Sequence, residues 1–425
     1  MKKRVLVLNC GSLASTDLNV ALRDNEEFEV WGASTNKNHG VYVYKNYIDD
    51  IPNMNAPNFI EVLNKKIEEF NFKFIIAQHE DLILFLQQNK EKINACIVSS
   101  NSDTALLCRY KSKTYEKMKE YSFTPKTYQK EEVTEYPVFA KKDDDQGGRH
   151  AYKITNQQEL ELYASSDDMI ICEYLPWEEV TIDCFSNKNR ELLFCNPRAA
   201  DRMLAGIDVH ARKIELTDEI KYIAESLNKE IEFRGFWFFQ IKKDANGKFK
   251  LLEIATRLPG AFSLSRCLDV NLPLLALKDF DGQDVKIIPN NTSIEADKQF
   301  FGKYSLGIEY NTVYIDFESC LKRMDSINPM LVMFLYQCVN KNIDLKILVK
   351  NKNELEEFCK NKRIEVNLFN EIIETDFENI KEILKQENSI LLSNNETLKN
   401  KVKDNNNKYC CFSNNIIEAL IDWRS

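Results

Sequence analysis

The stretch PVFAKKDDDQGGRHAYKI, residues 137–154, sets two lysines, three aspartates and a Gly-Gly pair between two apolar runs. Alone it reads as a solvated, charged hairpin more readily than as a loop that folds over phosphates. Lys141 ends an apolar run, so its ammonium can turn inward as a point charge for phosphate. Gly147 and Gly148 would let backbone N–H groups approach phosphate oxygens. Downstream, ICEYLP has the form of a strand running into a connector, Glu173 to Leu175, whose exposed backbone could pair with an adenine edge. FFQIKKDANGKFKLLEIATR reads as a hairpin around DANG that brings Gln240 and Glu253 onto neighbouring strands. Glu253 sits among leucines and isoleucine, where a carboxylate is costly unless paired or metal-bound. In this order the pieces meet the requirements for using ATP: a cation for the phosphates, a cover, an apolar slot and oxygen ligands for Mg²⁺.

Between them lies NPRAADRMLAGIDVHARKIE, where Arg198, Arg202, His210 and Arg212 concentrate positive charge. It is either a solvated hairpin or the place where Arg202 and Arg212 neutralise an anionic substrate or a transferring phosphoryl group. No P-loop pattern occurs, and the first turn, NCGSLAS, carries Gly11 alone where a dinucleotide fingerprint needs three glycines.

The elements that must position these residues follow from apolar periodicity. RVLVLNC, FEVWGAS, FKFIIAQ and ACIVSS read as strands, with DLNVALRD, FIEVLNKKIEEF and DLILFLQQNKEKI as helices between them. That alternation predicts an open parallel sheet over residues 1–108. Its ligand-facing residues would sit at the strand ends: Asn9 to Ser12, Gln78 to Asp81 and Ser99 to Asp103. His79 and Asp81 could contact substrate there, or Asp81 could cap a helix. Residues 109–290 are rich in strands and hairpins, 291–310 read as a linker, and 311–425 restart the βα alternation with NTVYIDF, LKILVK, EIIET, SILLSNN and YCCFS as strands.

The chain has 425 residues, 44% of them hydrophobic and 29% charged, enough for two or three domains with ordinary cores. A net charge of -9 argues against a general nucleic-acid binder, and no apolar run is long enough to span a membrane. The 12 cysteines include no CxxC pair, and the short apolar amino terminus is no secretion signal; reduced thiols and a cytoplasmic location are expected. The 4 histidines are not at ligand spacing, so zinc is not expected.

With these residues in place, the block 109–275 resembles the ATP-grasp superfamily, and within it the carbamoyl-phosphate synthase type of domain. PVFAKKDDDQGGRHAYKI resembles its phosphate lysine and glycine-rich loop, IICEYLPWEEVTIDCF its adenine connector and ribose-binding glutamate, and the FFQ…ATR hairpin its metal-binding strands. Residues 1–108 resemble its pre-ATP-grasp domain. The resemblance implies phosphate binding by Lys111 and Lys141 under a loop containing Gly147 and Gly148. It implies adenine binding along Glu173, Tyr174 and Leu175, ribose binding by Glu179, Mg²⁺ or Mn²⁺ held by Gln240 and Glu253, and charge neutralisation by Arg257. Three positions depart from the family: Tyr110 replaces an aspartate, Lys142 a proline, and Ala255 the asparagine of E-x-N-x-R that helps to hold a second Mg²⁺.

The tail has its own resemblance. NTVYIDFESC is similar to the first motif, D-x-D-x-T, of the haloacid dehalogenase superfamily of phosphohydrolases. Asp316 matches its nucleophile, but Glu318 replaces the second aspartate, Val349 a phosphate-binding Thr or Ser, and Ser393 and Asn394 the acidic metal ligands. The resemblance implies a Rossmann-like domain that has lost its chemistry. The fold class expected overall is α/β, with α+β character in the ATP-grasp core. The function expected is a carboxylate–amine ligase acting through an acylphosphate on small acids and amines, with a homodimer open. A kinase of the same fold and a retired nucleotide-binding protein are the alternatives.

Overall fold

The computed structural model describes residues 2–145, 148, 150–204, 207–298, 304, 306–323, 326–384, 388–403 and 410–422. The chain divides into two units, 1–300 and 301–425.

In the first unit, the apolar runs near the amino terminus form β1 (Lys3–Leu8), β2 (Phe28–Ala33), β4 (Phe72–Ala77) and β5 (Cys96–Ile97), joined by α1 (Leu13–Leu22), α2 (Phe59–Phe70) and α3 (Glu80–Gln88). A further strand, β3 (Asn46–Ile48), extends the edge. The sheet is parallel with order β3-β2-β1-β4-β5, so the chain runs outward from β1 in one direction and then returns to its other side. The helix expected over residues 17–24 begins earlier, at Leu13, because the Ser12 side chain accepts from the Ser15 N–H and caps it. On α2, Phe59, Leu63 and Ile67 recur every four residues and form the buried face.

Helices α4 (Ser102–Arg109) and α5 (Lys111–Lys117) lead into a small antiparallel sheet of β6 (Thr127–Tyr128), β7 (Val138–Lys142), β8 (Ala151–Ile154) and β9 (Met169–Glu173), with α6 (Gln157–Tyr163) before β9. A larger antiparallel sheet follows: β10 (Glu179–Ser186), β11 (Leu192–Leu204), β12 (Ile207–Lys213), β13 (Gly235–Lys243) and β14 (Phe249–Ala255). Helix α7 (Asp218–Glu230) turns Ile220, Ile223 and Leu227 toward Trp237 and Phe239 of this sheet in one buried cluster. Each such side chain contributes about 1.5–3 kcal/mol by leaving water. The segment read as a linker is partly sheet: after α8 (Ser263–Cys267) and α9 (Leu272–Phe280), residues Glu295–Asp297 form β15 on the edge of β12.

The second unit runs β16 (Thr312–Asp316), a single π turn over Phe317–Leu321, a hairpin of β17 (Lys322–Arg323) and β18 (Ser326–Ile327), then α10 (Pro329–Asn340), β19 (Asp344–Val349), α11 (Lys352–Lys362), β20 (Glu371–Glu374), α12 (Ile380–Ile383), β21 (Ser389–Leu392), α13 (Glu396–Lys403) and β22 (Cys410–Phe412). Its five main strands are parallel, ordered β20-β19-β16-β21-β22, and each lies in a run that reads as a strand from sequence. Among the described residues no helix is long and apolar enough to cross a membrane. All twelve cysteines are free thiols.

Candidate functional site

A cleft of about 560 Å³ opens in the first unit, between the two antiparallel sheets and the carboxyl ends of β1 and β4. Lys141, at the end of β7, alternates into it and is only 7% exposed. Its ammonium donates to the Tyr115 hydroxyl at 2.7 Å and to the Leu252 carbonyl at 3.0 Å. Lys142, next along the strand, also borders the cleft but pairs with Asp168 at 3.1 Å. Lys111, at the start of α5, is 8% exposed and lines the same cleft. It donates to the Asp145 carbonyl at 2.7 Å and faces the Glu253 carboxylate at 3.7 Å. Burial pushes the Lys111 pKa below its ordinary value; Glu253 opposes that shift and Lys141 adds to it. Lys113, two residues on, lies over the Tyr110 ring at 5.8 Å.

Opposite the lysines, the strand register sets Gln240 against Glu253 and Thr181 against Gln240. The Gln240 Nε2 donates to Glu179 at 3.1 Å and to Thr181 at 3.2 Å. Its Oε1 and the Glu253 carboxylate are therefore two hard oxygens side by side, which suits a magnesium ion that takes its remaining ligands from phosphate and water. Among the described residues no cluster of three or more His, Cys, Asp or Glu could hold a metal without such help. Beside Glu253, buried Ala255 pairs with Phe238, and the Arg257 guanidinium lies 5.2 Å from that ring.

Phe139, Ala151, Cys172, Leu175 and Leu252 give the cleft an apolar lining, with Ala151 paired to Lys141 across the ladder. Glu173 ends β9 with its backbone N–H on the Lys126 carbonyl and its carboxylate on the Lys126 N–H, both at 2.9 Å. Tyr174 and Leu175 follow outside the ladder and line the cleft, and Lys153 sits 4.5 Å over the Tyr174 ring.

The root of the 143–150 loop is fastened rather than free. Asp143 accepts from the Ser112 N–H at 2.8 Å and from its hydroxyl at 2.5 Å, and Asp145 holds His150 Nδ1 at 2.7 Å. Arg109 donates to the Asp144 carbonyl and pairs with Asp81. Asp81 is thus neither a helix cap nor a lining residue; its partner, Arg109, is a residue that sequence reasoning missed, and nothing in its spacing marks it. Gly148, at φ 67°, takes a backbone conformation that favours glycine and lines the cleft. Gly147 lies outside the described residues.

The arginines separate. Arg257 lines the cleft and pairs with Glu80 at 3.0 Å; Arg198 also lines it, almost fully buried, and pairs with Asp183 at 3.2 Å. Arg202 and Arg212 are about half exposed, pair with Asp297 at 2.5 Å and Asp201 at 3.2 Å, and do not join the lining. A register shift between Ala200 and Met203 breaks the alternation that would carry Arg202 to the face of Arg198, and Met203 lines the cleft instead. Of the strand-end residues, Asn9, Ser12, Gln78 and His79 line the cleft. Ser99 and Ser100 are taken up by Gln87 and Arg234.

In the second unit Asp316 is buried at the end of β16 and accepts from the hydroxyls of Ser319 at 2.6 Å and Ser393 at 2.7 Å. Asn394 donates to the Ser319 hydroxyl and carbonyl at 2.9 and 2.7 Å. Glu318 faces Lys322 at 3.5 Å, and Val349 is buried on β19. The residues that the tail motifs single out are thus partly brought together, but Asp316 is surrounded by neutral donors.

Residues 165–299 match a family model described as ATP-grasp in the biosynthetic pathway with Ter operon. No curated protein sequence matches the chain. Among solved structures, a biotin carboxylase from Campylobacter jejuni in complex with β-γ-ATP is 15% identical, with 68% of this chain and 72% of that chain covered at a TM-score of 0.57. The biotin carboxylase domain of 2-oxoglutarate carboxylase from Hydrogenobacter thermophilus, a dimer with MgADP, ADP and bicarbonate, is 16% identical over 69% and 73%, with a TM-score of 0.58. N5-carboxyaminoimidazole synthetase from Staphylococcus aureus, with ADP, is 17% identical over 68% and 80%, with a TM-score of 0.56. The family model spans β9 to β15, and the likeness to these enzymes shows that the unit holding the cleft has an ATP-grasp fold.

Proposed function

We propose that the chain is an ATP-dependent carboxylate–amine ligase. The observation that carries this is the convergence of two buried lysines, Lys111 and Lys141, and the Gln240–Glu253 pair on one cleft that also has an apolar lining. Buried ammoniums held by backbone carbonyls and one carboxylate are suited to accept polyphosphate, which replaces weak partners with strong ones. Adenine would lie along Glu173, Tyr174 and Leu175, with Glu179 on the ribose. Gln240 and Glu253 would hold Mg²⁺ or Mn²⁺, which when bound neutralises phosphate oxygens.

In the reaction, a substrate carboxylate oxygen attacks the γ-phosphorus, the bond to the β,γ-bridging oxygen breaks, and ADP leaves. The acylphosphate is then attacked at its acyl carbon by an amine nitrogen. The carbon–oxygen bond to phosphate breaks, phosphate departs, and the nitrogen gives up a proton. Lys111 and Lys141 would orient the phosphates, Arg257 would face the charge that develops at the acyl end, and the loop carrying Gly147 and Gly148 would exclude water. No covalent nucleophile from the chain is required.

Paired screening of small acids and amines for ADP and phosphate release tests this reading. A ligase releases both only when acid and amine are present together; ADP formed with one of them alone would instead mean a phosphotransferase.

For residues 311–425 we favour a degenerate relative of the haloacid dehalogenase phosphohydrolases. The parallel sheet centred on β16 and the position of Asp316 at its carboxyl end support the likeness. The Ser393 and Asn394 side chains supply neutral groups where a Mg²⁺ site would need carboxylates.

A further inference from the structure

Gln78 follows β4 directly and is 6% exposed, yet neither its Nε2 nor its Oε1 has a hydrogen-bond partner. Among the described residues it is the one side chain with both a buried donor and a buried acceptor unmatched. Unpartnered buried amides are expensive and rare, and this one lines the cleft.

Its neighbourhood is specific. Ala77 pairs with Leu8 in the sheet, so Gln78 and Asn9 leave adjacent parallel strands side by side. From β1 the chain continues to β2 on one flank, whereas β4 occupies the other, which makes the gap between these strand ends the crevice where open α/β sheets receive ligands. Asn9 takes a left-handed conformation, φ 58°, and its carbonyl holds the Ser12 N–H and the Ser15 hydroxyl. The turn so formed starts the ten-residue α1 at the cleft wall, where Ser12, Leu13 and Ala14 line it. First-turn N–H groups have no acceptor within a helix and carry the positive end of its dipole. Arg257 adds a guanidinium at the same wall.

We infer that the β1/β4 crevice is the acceptor subsite and that Gln78 reads there a carboxylate with a hydrogen-bond donor on the adjacent carbon, an α-amino or α-hydroxy acid head. The carboxylate meets the Leu13 and Ala14 N–H groups, which the Ser12 cap leaves over, and the Gln78 Nε2; the neighbouring ammonium or hydroxyl donates to Oε1. One ligand head satisfies both orphaned atoms, which neither a simple acid nor an amine alone can do. Binding energy from this head, which stays out of the reaction while a second carboxylate or amine of the same substrate reacts, would position the substrate for chemistry. The inference rests on the ligase reading for the word acceptor, but not for the recognition itself.

The test is calorimetric titration of the full chain, with and without ADP, using L-amino acids, the matching α-hydroxy acids and the matching acids without an α-substituent. Expected is binding of an α-amino or α-hydroxy acid about tenfold or more tighter than its unsubstituted counterpart, the series identifying which donor is used. Gln78→Met, near in size and without either polar group, should erase that preference, leave ADP affinity unchanged and not lower Tm. Gln78→Glu, which keeps an acceptor but adds a repelling charge, should weaken binding as well. Absence of binding across the series, or a preference that survives in Gln78→Met, overturns the inference. If ADP release never requires an amine, the ligase reading fails while Gln78-dependent binding stands; if ligation proceeds equally in Gln78→Met, the reverse holds.

Discussion

The ammonium of Lys141 and the hydroxyl of Tyr115 lie 2.7 Å apart, and that hydroxyl in turn donates to the Leu252 carbonyl at 2.7 Å, next to Glu253. The lysine is thereby held in its rotamer before any phosphate arrives, so little side-chain freedom remains to be lost on binding. Lys141→Ala should abolish ATP turnover and leave the far-ultraviolet circular dichroism and Tm close to wild type. Tyr115→Phe, which removes one partner from both groups, should lower turnover by about tenfold and stability by about 1 kcal/mol. Steady-state ADP release and thermal melts check both, and retained activity in Lys141→Ala would sink the phosphate assignment.

Arg257, Arg202 and Arg212 should respond unequally. Arg257→Ala should cost on the order of 100-fold in turnover, because it removes a preorganised charge from the cleft. Arg202→Ala and Arg212→Ala remove exposed pairs with Asp297 and Asp201 and should change turnover by no more than about twofold. Kinetics on the three variants separate the cases; a large loss at Arg202 would place it at the chemistry after all.

Asp281 gives a pH-dependent stability. Burial alone would raise its pKa, but hydrogen bonds from the ammoniums of Lys3 and Lys73 and the Gln283 amide hold it down to about 2, against an ordinary 3.8. A carboxylate with a depressed folded pKa contributes stability above 3.8, and that contribution drains away as the pH falls toward 2. Asp281→Asn should therefore cost about 2 kcal/mol at neutral pH. In melts run from pH 5 down to pH 2, the gap to wild type should narrow steadily.

In the second unit, Asp316→Asn should leave ligase turnover intact and lower that unit's stability by about 1–3 kcal/mol, since Ser319 and Ser393 lose a charged acceptor. Wild type should not hydrolyse p-nitrophenyl phosphate with Mg²⁺. A phosphatase activity lost in the variant would reverse this account of the tail.

Much of this was legible because burial forces charged residues to declare themselves. Glu253 inside LLEIA, and Lys141 at the end of VFA, stand out against apolar strands, and both line the cleft. The long apolar runs of β1, β2 and β4 were equally plain. β3 escaped because three residues, NYI, carry no period, and β15 because EAD is a three-residue edge strand with a single apolar side chain, Ala296. Of the two readings of the arginine-rich segment, nothing in AADRM decides for Arg202, because the bulge that turns it from the face of Arg198 is a backbone event that no residue there announces. Gln78 fell within a strand end expected to face ligand, but its missing partners are a property of three-dimensional surroundings.

The pairing of Glu295–Asp297 with β12 has a practical side. A fragment trimmed at residue 290, where the sequence suggests a domain end, would bare the backbone of His210, Ala211 and Arg212 along an open sheet edge. Such an edge templates association with other chains, so that fragment should express poorly and aggregate, whereas one that runs through Lys298 keeps its own protective strand.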